Sequence, residues 1–142
     1  MKDIIRIVVK GSSGYGPADE AFKDKITVEQ DRITYEYKPI FESELNQTRK
    51  WSYKTTSPVF HEQFKRISKM MSEIIENPIN ELCTDIGGIE FMVTFADKTK
   101  FHENYWVPGD HFVSLFRALK VMVPECEYTP AVLLTSEDYK DG

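Results

Sequence analysis

Histidine and carboxylate side chains come close together twice in the C-terminal part of the chain, with His102 beside Glu103 and Asp110 beside His111. Neutral imidazole nitrogen and carboxylate oxygen suit a divalent transition ion, and three such ligands with one position left open make a catalytic metal site. His111 falls at the start of a predicted helix, where the dipole favours the neutral ring that a ligand must be. The spacing is not H-E-x-x-H or any other close ligand pattern, and His61 joins the group only if the fold carries it there. His102, Glu103, Asp110 and His111 are therefore candidates for a small metal-dependent enzyme or metal-binding protein. No metal ligand is assigned, no catalytic residue is named, and no cofactor is expected.

Other chemistry is more weakly signalled. Cys83, in E-L-C-T-D, and Cys126 lack a neighbouring histidine and any C-x-x-C spacing. They have the pattern of cysteines in a reducing, cytoplasmic protein rather than of a nucleophile or a disulfide. Gly11-Ser12-Ser13-Gly14-Tyr15-Gly16 follows a predicted strand, as phosphate loops do, but the lysine of a nucleotide-binding loop is missing and Pro17 removes a backbone donor.

A basic stretch stands between Arg49 and Lys69, where six Lys and Arg side chains face Glu62 alone. Lys50, Lys54, Lys65 and Lys69, together with Trp106, are the candidate ligand or partner surface. Trp51 and Tyr53 lie within the same stretch and could stack on nucleic-acid bases. Strand alternation puts them on the side away from Lys50 and Lys54, so they read as core.

The elements that must position these groups are legible from periodicity. Phe60, Phe64, Ile67, Met71 and Ile74 recur at helical spacing, which predicts an amphipathic helix of about 28 Å with Ser57 as N-cap, Pro58 at its first position and Asn77-Pro78 as its stop. Phe112, Leu115, Phe116, Leu119 and Met122 predict a second helix, capped by Asp110 and starting at His111. A β-branched run bounded by glycine predicts a strand over Ile4–Lys10, and alternation predicts strands over Ile26–Gln30, Ile33–Lys38, Gln47–Thr56 and Ile89–Ala96. A hairpin loop leads from the last of these into a strand over Lys100–Trp106. Asp31-Arg32 is the expected hairpin turn between the second and third strands, and Pro130–Thr135 is expected to add a short edge strand or to cover the core. Gly11–Glu20 is expected as a loop.

Short connections imply antiparallel neighbours, and two helices with single apolar stripes imply one helical layer on one sheet face. The expectation is an α+β two-layer sandwich, a mainly antiparallel sheet of five to six strands with two helices on one face. It forms a single domain over residues 1–135, followed by a short acidic tail over 136–142. Tyr35, Trp51, Tyr53 and Phe91 are assigned to the face under the first helix. The opposite face, with Thr27, Glu29, Thr34, Glu36, Lys50, Ser52, Lys54, Glu90 and Thr94, is expected to be wet.

A chain of 142 residues is long enough to bury a core without metal or disulfide. Its net charge of −5 argues against nucleic acid or an anionic membrane as a partner of the whole surface. The N-terminal apolar run is too short, and too broken by Arg6, for a signal peptide or a membrane span. The functional expectation is a cytoplasmic, non-enzymatic binding or protein-interaction module, with a protein partner or self-association. The metal-dependent enzyme stands as the alternative.

Overall fold

β-Branched residues crowd the N-terminal run at Ile4, Ile5, Ile7, Val8 and Val9, and in the computed structural model they form one of the two middle strands of a sheet. The structure describes residues 3–12, 22–39, 48–77, 89–105, 112–123 and 133. Six strands, β1 (Ile4–Ser12), β2 (Phe22–Glu29), β3 (Arg32–Pro39), β4 (Arg49–Lys54), β5 (Ile89–Phe95) and β6 (Lys100–Tyr105), are joined by two helices, α1 (Pro58–Glu76) and α2 (Val113–Met122). The sheet order is β4-β3-β2-β1-β5-β6, and every neighbouring pair is antiparallel. The expected two-layer α+β sandwich is the architecture observed.

Burial follows the strand period of two. Ile7, Val9, Ile26, Val28, Ile33, Phe91 and Val93 are fully buried on one face. Phe60, Phe64, Ile67 and Met71 come down on that face from α1, and Leu115, Phe116, Leu119 and Met122 come down from α2. Phe91 anchors the α2 side, its ring 5.0 Å from Phe112 and 6.4 Å from Phe116. The helices touch along their sides, where Gln63 Nε2 donates to the Ala118 carbonyl at 2.9 Å. Leu133 is also fully buried in the core.

Several boundaries differ from expectation, each for a local reason. The β2–β3 turn is Gln30-Asp31 rather than Asp31-Arg32, because Glu29 pairs with Arg32. That register sets buried Val28 directly opposite buried Ile33, whereas the expected one would set polar Gln30 there. β1 runs on through Gly11 and Ser12, paired with Asp24 and Lys23 of β2, so pairing overrides the weak strand preference of glycine. α2 begins after Phe112, not at His111, and makes no side-chain cap. Ser57 does occupy the α1 N-cap position, but its hydroxyl makes no cap bond, and its amide donates to Thr55 Oγ1 at 3.0 Å. Tyr53 is 43% exposed, edge-on to Phe60 at the margin of the sheet instead of beneath the helix. The acidic tail over 136–142, the Pro130–Thr135 segment apart from Leu133, both cysteines and residues 13–20 of the glycine-rich loop lie outside the described residues.

Candidate functional site

The face of the sheet away from the helices is built in rows, because antiparallel register lines up every second residue across all six strands. Lys54, Arg32, Glu29, Arg6, Thr94 and Lys100 form one row. Ser52, Thr34, Thr27, Val8, Met92 and His102 form the next, and Lys50, Glu36, Lys25, Lys10, Glu90 and Asn104 the third. Lys38 and Lys23 begin a fourth. The first and third rows are four residues apart, about 14 Å at ~3.4 Å per residue.

This face is strongly basic. Among the described residues, nine Lys and Arg side chains stand on it against three carboxylates, a formal excess of six positive charges. The other described residues carry seven Lys and Arg side chains against eight carboxylates. The net charge of −5 is thus no guide to the charge of this face.

All three carboxylates are held. Arg6 Nε meets Glu29 Oε1 at 3.0 Å, Lys50 Nζ meets Glu36 Oε1 at 3.3 Å and Lys25 Nζ lies 3.9 Å from Glu36 Oε2. His102 Nε2 bonds the Glu90 carboxylate. The hydrogen bond from Lys50 holds the Glu36 carboxyl below the usual carboxylate range, and the charges of Lys25, Lys50 and Lys38 add to the effect against a desolvation that opposes it. Six cations, Lys10, Lys23, Arg32, Lys38, Lys54 and Lys100, make no ion pair among the described residues.

Register also sets like charges face to face. Lys10 is directly opposite Lys25, Lys23 opposite Lys38, and Arg32 opposite Lys54. Each arrangement works against the sheet, since like charges directly across a strand pair are destabilising.

No family model matches the chain, and no curated protein matches it. What this face does must therefore be read from its own chemistry.

The candidates named from sequence are distributed by the fold. Lys50 and Lys54 stand exposed on the basic face. Lys65 and Lys69 are exposed on α1, in the layer on the other side of the sheet, where Lys65 Nζ pairs with Glu62 at 3.4 Å. Trp51 packs against the core, its ring 5.8 Å from Tyr35, and leaves no aromatic side chain on the basic rows. Trp106, Asp110 and His111 lie outside the described residues. His102 and Glu103 project to opposite faces of β6, as adjacent strand residues must, and His61 is half-buried on α1 across the sheet from His102. Among the described residues no group of three or more His, Cys, Asp or Glu side chains is placed to hold a metal ion.

A cleft of about 290 Å³ opens between α1 and α2, lined by Met70, Glu73, Ile74, Asn77, Phe112 and Leu115 among others. It is at the small end of ligand pockets and offers one carboxylate among mainly apolar walls. Arg6, Lys10, Lys23, Lys25, Arg32, Lys38 and Lys100 are the cations of the basic face that sequence reasoning did not assign to a partner surface. Alternation places each of them on the wet side of its own strand, and strand pairing gathers them into one face.

Proposed function

We propose that the protein is a cytoplasmic, non-enzymatic binding module that takes polyanionic partners on the open face of its sheet. The observation carrying this reading is the set of three like-charge cross-strand pairs on an otherwise well-paired sheet. A face selected only for stability would place a carboxylate opposite every one of those cations. It does so on the other side of Lys25 with Glu36, of Lys10 with Glu90 and of Arg32 with Glu29, whereas Lys23, Lys38 and Lys54 have none among the described residues. Unpaired lysines kept together at a cost to the fold supply a field for an anion that is absent from the fold itself. The lone cysteines of the sequence support a reducing compartment.

Protein partners are a poorer fit to this face than to the general expectation of a binding module. Interface cores are rich in aromatic side chains and depleted in lysine, whereas seven of the nine cations here are lysines and the rows carry no Phe, Tyr or Trp.

Heparin chromatography at neutral pH tests the reading. A protein of pI ≈ 5.2 is repelled by a sulfated polyanion unless a local face captures it. Retention at about 50 mM salt, with elution as salt screens the charges, is the expected result. Flow-through without retention would sink the proposal.

A further inference from the structure

We infer that the polyanion is the phosphate backbone of a nucleic-acid duplex, gripped through the two cation rows without regard to base sequence. The inference rests on the polyanion-binding reading above and narrows it to one partner.

Three features choose the duplex. First, single strands are held by aromatic platforms on which bases stack, and the rows offer only aliphatic, hydroxyl, amide, imidazole and charged groups. Second, the two cation rows run parallel about 14 Å apart, comparable with the ≈ 12 Å width of a major groove between its two backbones. The row between them presents Ser52, Thr34 and Thr27, whose hydroxyls suit phosphate and sugar oxygens, and Thr34 Oγ1 already lies 3.2 Å from Ser52 Oγ.

Third, the sheet is not a plane. Six strands turn through roughly 100° from edge to edge at about 20–25° per strand pair, so a flat anionic bilayer meets only part of the basic face at once. A duplex is itself curved and offers phosphates along two rails. Lysine outnumbers arginine on the face, which fits electrostatic capture of phosphates better than bidentate reading of base edges. Affinity on such terms is set by counterion release.

Fluorescence anisotropy with labelled DNA and RNA duplexes of mixed sequence tests the inference. If about five phosphates are neutralised, the log–log salt slope is about −4.5 and affinity falls roughly 500-fold between about 50 and 200 mM salt. Two duplexes of unrelated sequence bind alike. The triple variant Lys10→Gln, Lys54→Gln, Lys100→Gln, within those two rows, lowers the slope by about three. It removes two like-charge pairs, so it is expected to fold at least as well, which circular dichroism checks. Lys65→Gln with Lys69→Gln, on α1, leaves binding unchanged.

Binding to phosphatidylserine vesicles or to polyglutamate in preference to duplex would overturn the inference. So would tighter binding of a single strand, or equal weakening by the α1 variant. Retention on heparin with no duplex binding overturns this inference and leaves the polyanion reading standing, while loss of heparin retention removes both.

Discussion

Lys23 and Lys38 face each other directly across β2 and β3, two exposed ammonium groups in register on the open face of the sheet. Neither makes an ion pair among the described residues, and Glu36, two residues along β3, is engaged with Lys50 and Lys25. Lys23→Glu turns the like-charge pair into an opposite-charge pair and leaves Lys38 beside Glu36. Stability is expected to rise by about 0.2–1 kcal/mol, the range for such cross-strand pairs, as an upward shift in the urea midpoint. Heparin elution is expected to move to lower salt at the same time. A variant that gains stability and keeps full retention would show that this pair has no part in binding.

Glu36 is the anion that the lysines already hold. Its carboxyl titrates below the ordinary value of 4.5, first because Lys50 hydrogen-bonds the ionised form and then because Lys25, Lys50 and Lys38 lie near it. A folded pKa below the unfolded one stabilises the protein above the ordinary carboxylate range, and the benefit is lost as pH falls through the folded pKa. Glu36→Gln is therefore expected to lower stability at neutral pH and to make the acid limb of the stability curve shallower. The same change frees Lys50 and Lys25 and is expected to tighten retention on heparin. Opposite signs for stability and binding are the diagnostic, read from urea unfolding at a series of pH values and from the elution salt.

Beneath the sheet, Tyr35 Oη donates to Asp24 Oδ2 at 2.9 Å, and both residues are about 95% buried. A buried carboxyl keeps its place only with donors around it. Tyr35→Phe retains the ring packing on Trp51 and removes this donor, so it isolates the polar contribution. The expected cost is about 1–3 kcal/mol by chemical denaturation. A loss within error of zero would mean that the hydrogen bond contributes nothing net.

Much of this architecture was legible in the order of residues, and the binding face was not, for a reason that is geometric. Phe60, Phe64, Ile67 and Met71 announce α1 because a helix writes its buried face within a few turns of chain. Phe91 and Val93 announce β5 in the same local way. The cations of the open face come from five strands, from Arg6 to Lys100, and only strand pairing gathers them. A running view of charge picks out the stretch from Arg49 to Lys69 instead, and the fold divides that stretch between the open face and α1, on either side of the sheet. Net charge fails likewise, since it sums this face with every other charge in the sequence. The metal candidates His102 and Glu103 failed to converge through the alternation that made β6 recognisable.

Phe91 links β5, β6 and α2, its ring 5.6 Å from Tyr105 and 5.0 Å from Phe112 with no exposed surface. Phe91→Ala is expected to cost about 3–5 kcal/mol, because the removed ring leaves a cavity that a sheet and a helix close only in part. Hydrogen exchange should report the damage first in β6 and α2, with β2–β3 protected longer. Uniform loss of protection across all strands would contradict that order.

Tyr105 gives the alkaline counterpart to Glu36. Burial raises its phenol above the ordinary value of 10.0, and the carboxylate of Glu103, on the same face of β6, raises it further. The neutral phenol is the form that the fold accommodates between Phe91 and Phe112. A folded pKa above the unfolded one contributes stability that is fully present below pH 10 and is lost as pH rises through the folded pKa. Tyr105→Phe is expected to flatten the alkaline limb of the stability curve. Glu103→Gln takes away the smaller of the two causes, so in an ultraviolet tyrosinate titration one tyrosine should move down toward its ordinary value while remaining above it. Coincident titrations of wild type and Glu103→Gln would show that burial alone sets this pKa, and an unchanged alkaline limb in Tyr105→Phe would show that the phenol does not couple to folding.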